Sequence, residues 1–414
     1  MERVEGLASK SVPDESTLRD VIDTLAELDR TPCSPGEREA ALWLQGRLAS
    51  AGCASVDLEE EPGWGPFPPT LTTLGIAAIA AATLVARGRR VAGGLAALAA
   101  AVGIIDEAQN GPRLFRRAIR RRRTTVNVVA RTGDPGATRT LVVLAHHDAP
   151  QTGLIFNQRL EKAAYELAPE YISRIKTGIP QWWGLLAGPL FTVMSAVTGR
   201  KARAGLLLST LATTFLADIW RSPTVPGAND NLSGVASLVA LAEMIEDRPP
   251  AGLRVLLVSC GSEETLQDGI RAFMERHRGE LDRGNTWVLN LDTVGSPHLV
   301  LLEGEGPVWM EDYTDPSFRD MIARAAIEVE VDLERDIRTR ASTDAIIPSR
   351  RSYPTATLLS IEPWRLPANY HLLSDTPANV NYETVVNAVR IAYAVARRLS
   401  ESQSGAVTPA QRRP

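Results

Sequence analysis

The chain has 414 residues, 44% of them apolar and 23% charged, with a formal net charge of −4. At ~100–200 residues per domain, that is room for two or three domains or for one large α/β domain with insertions. The composition excludes a disordered chain, a collagen and a wholly basic nucleic-acid binder, so no nucleic-acid partner is expected. Only four of the 45 basic residues are Lys. The excess of Arg reads as coding bias, so an Arg cluster carries little weight by itself. Cys33, Cys53 and Cys260 are too few and too far apart for a disulfide framework or a thiolate metal cage. A reducing compartment is therefore expected. The first sixteen residues contain no apolar stretch and do not read as a secretory signal peptide.

Residues 16–52 read as two helices. The second opens with Ser34-Pro35-Gly36-Glu37, which is a Ser N-cap, a Pro at the first helical position and a Glu placed as in a capping box. Ala40, Ala41, Leu44 and Leu48 recur at helical spacing, and Gly52 ends the helix. Residues 55–61 alternate like a strand. Residues 71–86 and 91–105 are then almost wholly apolar, separated by Arg87-Gly88-Arg89-Arg90. Seven arginines follow within residues 111–123. Residues 125–130 and 140–145 read as strands joined by a turn rich in Gly, Asp and Pro.

A second apolar pair spans residues 182–197 and 204–220 around Gly199-Arg200-Lys201. From Pro226 the chain alternates helix and strand. Residues 231–246 and 380–399 read as helices. Residues 254–260, 287–292 and 355–361 are nearly continuous apolar runs, as in a parallel sheet covered on both faces. This alternation predicts an α/β domain with a mixed sheet. Residues 402–414 read as a disordered tail.

The chemistry falls at strand ends, where open α/β sheets place their ligands. His146-His147-Asp148 follows one strand, and Gly227–Asn231 precedes a helix. Glu263-Glu264 follows another strand, Asp292 ends the next, and Tyr370-His371 follows the last core strand and a loop. Each motif alone is an ordinary turn, cap or solvated face. Together they form a ligand set of His and carboxylate without thiolate, suited to Zn²⁺, Mn²⁺ or Co²⁺. A Glu-Glu pair lets one carboxylate bind metal while its neighbour stays free as a general base.

These residues resemble the co-catalytic di-zinc aminopeptidases of clan MH, of the bacterial leucyl aminopeptidase type and related to the glutamate carboxypeptidases. The resemblance covers about residues 16–60 and 124–400. It rests on Ser34-Pro35-Gly36, Ala145–Asp148, GANDNLSG at 227–234, Glu263-Glu264 with Gly269, and Asn290–Asp292. Ser342–Asp344 with Pro354, and Tyr370-His371 with Asp375-Thr376, complete it. It implies a three-layer α/β/α zinc-exopeptidase fold with a mixed, mostly parallel sheet. It implies two Zn²⁺ and a peptide substrate. By this resemblance His146 and Asp292 bind one metal, Glu264 and His371 the other, and Asp230 bridges both. Glu263 is the general base for the shared water, Asp148 orients His146, and Tyr370 steadies the oxyanion. Leu266, Ile270, Ala345, Pro348 and Ser352 depart from the family pattern around the substrate pocket. His147 is not expected to be a ligand, and His277 and His298 are expected at the surface.

The resemblance leaves out the apolar pairs. Residues 69–123 and 151–225 are read as insertions into a catalytic domain made of residues 1–68, 124–150 and 226–401. Both hairpins are expected to rise from the active-site face and pack together as an inserted apolar four-helix unit. The strand at residues 125–130 is expected to pair with both 55–61 and 140–145. Runs of 15–17 residues are marginal against the ~17–25 a membrane span needs. Trp182, Trp183 and Trp220 at the run ends suit an interfacial belt, and the arginines of 113–123 suit anionic headgroups. Association with a lipid bilayer is expected, with the catalytic domain cytoplasmic by the positive-inside rule. Spanning, lying in and avoiding the bilayer all stay open, as does the oligomeric state. The functional expectation is a membrane-associated di-zinc peptidase, an aminopeptidase in the first instance. A di-zinc carboxypeptidase or other amide hydrolase is the alternative. A non-catalytic membrane scaffold on the same fold is opposed by the complete set of ligands and base.

Overall fold

The computed structural model describes residues 12–401. The tail expected over 402–414 lies outside the described residues. Helix α1 (Glu15–Ala26) and helix α2 (Pro35–Ser50) open the chain. The Ser34 hydroxyl caps α2 by accepting the Glu37 N–H at 3.1 Å. The other half of the capping box is redirected. Glu37 is buried and accepts the Cys33 N–H at 3.0 Å, the Thr125 hydroxyl at 2.9 Å and the Ser262 hydroxyl at 2.7 Å.

Nine strands form one mixed sheet: β1 (Ser55–Gly63), β2 (Arg123–Gly133), β3 (Thr140–His146), β4 (Arg254–Cys260), β5 (Thr286–Leu291), β6 (His298–Glu305), β7 (Glu311–Asp312), β8 (Glu334–Thr339) and β9 (Thr355–Ile361). Their order is β1-β2-β4-β3-β5-β9-β6-β7, with β8 beside β6. The central strands β4, β3, β5 and β9 are parallel. β1 pairs antiparallel with β2, as expected. β2 does not pair with β3. It pairs antiparallel with β4, Val129 opposite Val258, and β4 occupies the slot beside β3. The wholly buried β3 takes the middle of the sheet, where an apolar run is covered on every side.

Side chains alternate across the sheet. Leu141, Val143 and Ala145 face a core formed with α1, α2, α10 (Ser233–Asp247), α12 (Pro316–Glu328) and α14 (Tyr382–Glu401). Val142 and Leu144 face the opposite core, closed by α11 (Asp268–Arg276) and α13 (Ile346–Arg350). The fold is therefore a three-layer α/β/α domain.

The expected four-helix unit is present. It consists of α3 (Pro68–Ala86), α4 (Arg90–Ala108), α8 (Trp183–Thr198) and α9 (Arg203–Arg221). α3 packs on α4 and α9, and α8 packs on the same two helices, so the four close on one another. Between the hairpins lie the short helices α5 (Leu114–Ile119), α6 (Arg159–Leu167) and α7 (Pro169–Ile172). The unit is clamped to the catalytic layers by ion pairs. Arg113 and Arg116, expected to be available to headgroups, are buried instead. Arg113 pairs with Asp268, and Arg116 pairs with Glu107 at 2.7 Å and donates to the Thr265 carbonyl. Their partners Asp268 and Thr265 lie about 150 residues further along the chain. Arg117, Arg121, Arg122 and Arg123 remain exposed.

Candidate active site

The parallel strands deliver the candidate residues to one end of the sheet. His146 is the last residue of β3, and Asp292 directly follows β5. Glu263 and Glu264 lie in the turn after β4. Asp230 lies in the turn that enters α10. Tyr370 and His371 sit in the loop after β9. Residues from five parts of the chain thus meet in one place. His146 Nε2 lies 3.4 Å from Asp230 Oδ1. His371 Nε2 lies 3.3 Å from Asp230 Oδ2 and 3.4 Å from Glu264 Oε1. Two triads with ligand atoms within 4.8 Å, His146/Asp230/Asp292 and Asp230/Glu264/His371, share Asp230. A third, His146/Glu263/Glu264, overlaps them.

Backbone clamps hold the turns. Asp148 accepts the Glu263 N–H with one carboxylate oxygen and the Glu264 N–H with the other, both at 2.9 Å. Its Oδ1 also lies 3.5 Å from His146 Nδ1, which faces the Asp148 carbonyl at 3.2 Å. Asp375 performs the same task for the opposite turn. It accepts the Asn229 N–H at 2.8 Å and the Asp230 N–H at 3.0 Å. The Gln267 amide donates to Glu263 Oε1 and to the Ser342 carbonyl. Phe156, from the second insertion, packs on the His371 ring at a centroid distance of 4.4 Å.

The cluster is strongly acidic and almost entirely buried. Burial opposes the charge on Asp230, but the two imidazoles facing it hold its carboxyl well below the usual range. Burial likewise opposes charge on His371, yet the Glu264 and Asp230 carboxylates hold its pKa up at about 10. Burial, with the nearby Glu264, Asp344 and Asp292, pushes Glu263 well above the carboxylate range. Burial also raises Asp344, to about 8.

These residues fit a divalent cation site. Asp230 Oδ2 and His371 Nε2 are buried and make no hydrogen bond among the described residues, although they face one another. The facing carboxylates favour the charged form of both imidazoles, and a divalent cation would compete with protons for the same nitrogens. Its donors are imidazole nitrogen and carboxylate oxygen, the set that suits zinc.

A cavity of about 450 Å³ opens from this cluster. Glu263, Glu264, Tyr370 and His371 line one end, and Phe67, Leu185 and Leu216 of the four-helix unit line the other. Both hairpins therefore stand on the active-site face, as expected. Leu266 lines the cavity with a left-handed φ of 67°, the region that favours Gly. Ile270, Ala345 and Pro348 instead pack within the protein, and Ser352 lies outside the cavity lining. His147 is buried with its Nδ1 2.9 Å from the Ser259 hydroxyl. His298 is exposed, but His277 is not a surface residue. It is buried between Glu59 and Glu280, 2.8 Å from each.

Sequence reasoning missed the roles of Asp375, Gln267 and Phe156. Asp375 had a signal, since it follows His371 within a recognised motif. Gln267 and Phe156 had none.

The model of Peptidase family M28 matches residues 213–396. That segment is M28-like. The resemblance to the clan MH di-zinc peptidases therefore holds, and it supports a zinc peptidase. A sequence search of curated proteins finds no match. Among solved structures, the Legionella pneumophila LapA aminopeptidase is 11% identical, with a TM-score of 0.54 over 94% of this chain and 72% of its own. An aminopeptidase from Aneurinibacillus sp. strain AM-1 is 13% identical, with a TM-score of 0.53 over 93% and 94%. A Bacteroides thetaiotaomicron glutaminyl cyclase bound to N-acetylhistamine is 13% identical, with a TM-score of 0.52 over 93% and 99%. At such identities these likenesses concern the M28-type fold.

Proposed function

We propose that the protein is a membrane-associated di-zinc aminopeptidase that releases N-terminal residues from peptides. The observation that supports this most is the pair of buried triads sharing Asp230. His146 and Asp292 would hold one ion, Glu264 and His371 the other, and Asp230 both. Ions held there would act as Lewis acids on the scissile carbonyl and supply a nucleophile at neutral pH. Glu263 takes the proton of the attacking water and returns it to the leaving amine. Burial keeps the Tyr370 phenol protonated, well above its ordinary pKa, so it can donate to the developing oxyanion. Asp148 fixes the Glu263-Glu264 turn and the His146 ring together.

Metal analysis with a peptide screen tests this reading. Two ions per chain and cleavage of free-amine peptides only are expected. Glu263→Gln should lower kcat by ~10²–10⁴-fold with both ions retained. Wild-type turnover by this variant would remove Glu263 from its role.

A second reading, a carboxypeptidase or another amide hydrolase, is favoured by one observation. Arg340 lines the cavity, and its Nε is buried without a hydrogen-bond partner. A guanidinium so placed suits a substrate carboxylate. Cleavage of N-blocked peptides with a free C-terminus, lost on Arg340→Ala, would establish it.

The membrane association rests on the four-helix unit. α3 and α4 have 19 residues each and are apolar enough to cross a bilayer. At 1.5 Å per residue each is ~28 Å long, close to the ~30 Å hydrocarbon core. Ile76, Leu95, Leu98 and Val102 are exposed on their outer faces. The exposed Arg117, Arg121, Arg122 and Arg123 at the catalytic end of the first hairpin support, by the positive-inside rule, a cytoplasmic catalytic domain. Sedimentation of the intact chain with membranes, and protease accessibility of that domain, check both parts.

A further inference from the structure

The cavity beside the acidic cluster is much larger than one side chain needs. At about 450 Å³ it is roughly three times the ~150 Å³ of a cavity that holds a benzene ring. One stretch of its wall away from the cluster is apolar, with Leu208, Leu211 and Phe215 of α9, Ile179, Trp182 and Phe67, while Lys176, Gln181 and Arg340 line another part. A peptide lying along the apolar stretch would leave its backbone N–H and C=O groups facing hydrocarbon, which is costly. An alkyl chain carries no such groups. The rim is apolar as well. Leu211 is 52% exposed and Ile179 78%, and both belong to the cavity wall. Leu207, in the same turn of α9, is 69% exposed. The opening is therefore continuous with the outer apolar surface of the four-helix unit. Phe156 of the second insertion lies against both Tyr370 and His371, so the inserted segment reaches the reacting end.

We propose that this cavity holds a long alkyl or acyl arm of the substrate, and that the enzyme hydrolyses amides of lipid-like compounds. The inference rests on reading the acidic cluster as a hydrolytic site. The amide C–N bond breaks, water supplies the new C–O bond, and its protons go to the leaving amine. The arm lies among α9, Trp182 and Phe67 while the amide stands at Glu263. A chain entering from a bilayer would approach the cluster along this apolar stretch of the wall.

Two compound series test this and separate the possible sources of the arm. One is the leucine n-alkylamides from ethyl to octyl, and the other is the N-acyl-leucines from acetyl to octanoyl. Binding to the metal-loaded Glu263→Gln protein is read by calorimetry, and kcat/KM is read on the wild type. In at least one series, affinity should rise by about fourfold per methylene until the cavity is full. Leu211→Arg and Phe215→Arg should flatten that dependence. Leu211 is half exposed, so its variant should fold, and circular dichroism and thermal melting verify this. Affinity independent of length in both series, or a steep dependence surviving both substitutions, overturns the inference. A metal-loaded protein that hydrolyses neither leucinamide nor dipeptides overturns the peptidase reading instead. The calorimetric length dependence still decides the role of the cavity in that case.

Discussion

The catalytic layers and the four-helix unit differ in what covers their outer faces and in how closely their helices meet. In the catalytic layers the large residues are inside. Leu141, Val143, Phe273 and Phe318 are buried, and polar side chains cover the outer helices. In the four-helix unit many of the helix contacts are small: Gly75, Ala78, Ala82, Gly93, Ala97, Gly188, Gly205 and Ser209 are buried. Its large residues are divided, with Leu71, Leu74, Ile104, Leu186 and Leu216 buried in a core and Leu95, Val91 and Val197 exposed. Small residues at the helix contacts let backbones approach closely, which is how helices associate where hydrocarbon surrounds them. The hydrophobic effect drives the first region, and in the second close helix contacts between small residues add to a buried apolar core. On the proposed membrane association, the exposed apolar outer face of the second region would meet lipid.

Charge separates the two regions as well. The catalytic layers bury a cluster of carboxylates and imidazoles that the four-helix unit lacks. Asp230→Ala makes the sharpest cut at it and should have the largest effect. Both ions should be lost and activity should fall to background. A chelator should lower the melting temperature of the wild type, because ions at ~1,000 times their Kd contribute about 4 kcal/mol. The variant should melt at the same temperature with and without chelator. Two retained ions in this variant would break the shared-ligand arrangement.

Much of this organisation could be read from the residues because it depends on local pattern. The apolar strands, the polar residues at their ends and the two hairpins all have short-range signatures. What escaped depends on distant partners. The β2–β4 pairing joins residues more than a hundred positions apart and has no local mark. Arg113 and Arg116 look like surface residues until Asp268 and Thr265 are brought to them. His277 is buried only because Glu59 of β1 arrives beside it. The short helices α6 and α7 bury none of their residues, so no core position marks them. Gln267 touches Glu263 because the backbone at Leu266 and Gln267 takes left-handed φ values of 67° and 65°, which local sequence does not announce.

Asp148→Asn should have an intermediate effect. The amide can present one oxygen, but its NH₂ would face the second backbone N–H, so one of the two 2.9 Å clamps is lost. Orienting groups behind metal ligands are typically worth ~10–100-fold in metal affinity. Competition with a chromogenic chelator should show a loss of that size. An unchanged affinity would mean that the clamp is dispensable and that burial alone holds the turn.

The smallest effects should come from the four-helix unit, where the covering of the outer face can itself be tested. A Cβ at Gly188 would stand 2.5 Å from the Ser209 nitrogen and 2.8 Å from its Cα, so Gly188→Val forces α8 and α9 apart. Such overpacking costs about 1–3 kcal/mol. The change should lower the melting temperature in detergent. Leu95→Ser removes a large apolar side chain from an outer face that is 63% exposed. It should change stability by no more than about 0.5 kcal/mol, as surface substitutions usually do. It should also weaken retention by membranes, which its inner-face counterpart leaves alone. If another protein chain covered the outer face, the ranking would reverse, because Leu95 would then be a buried core residue whose loss outweighs the clash at Gly188. A greater loss of stability from Leu95→Ser than from Gly188→Val would therefore show that the outer face is covered by protein rather than by lipid.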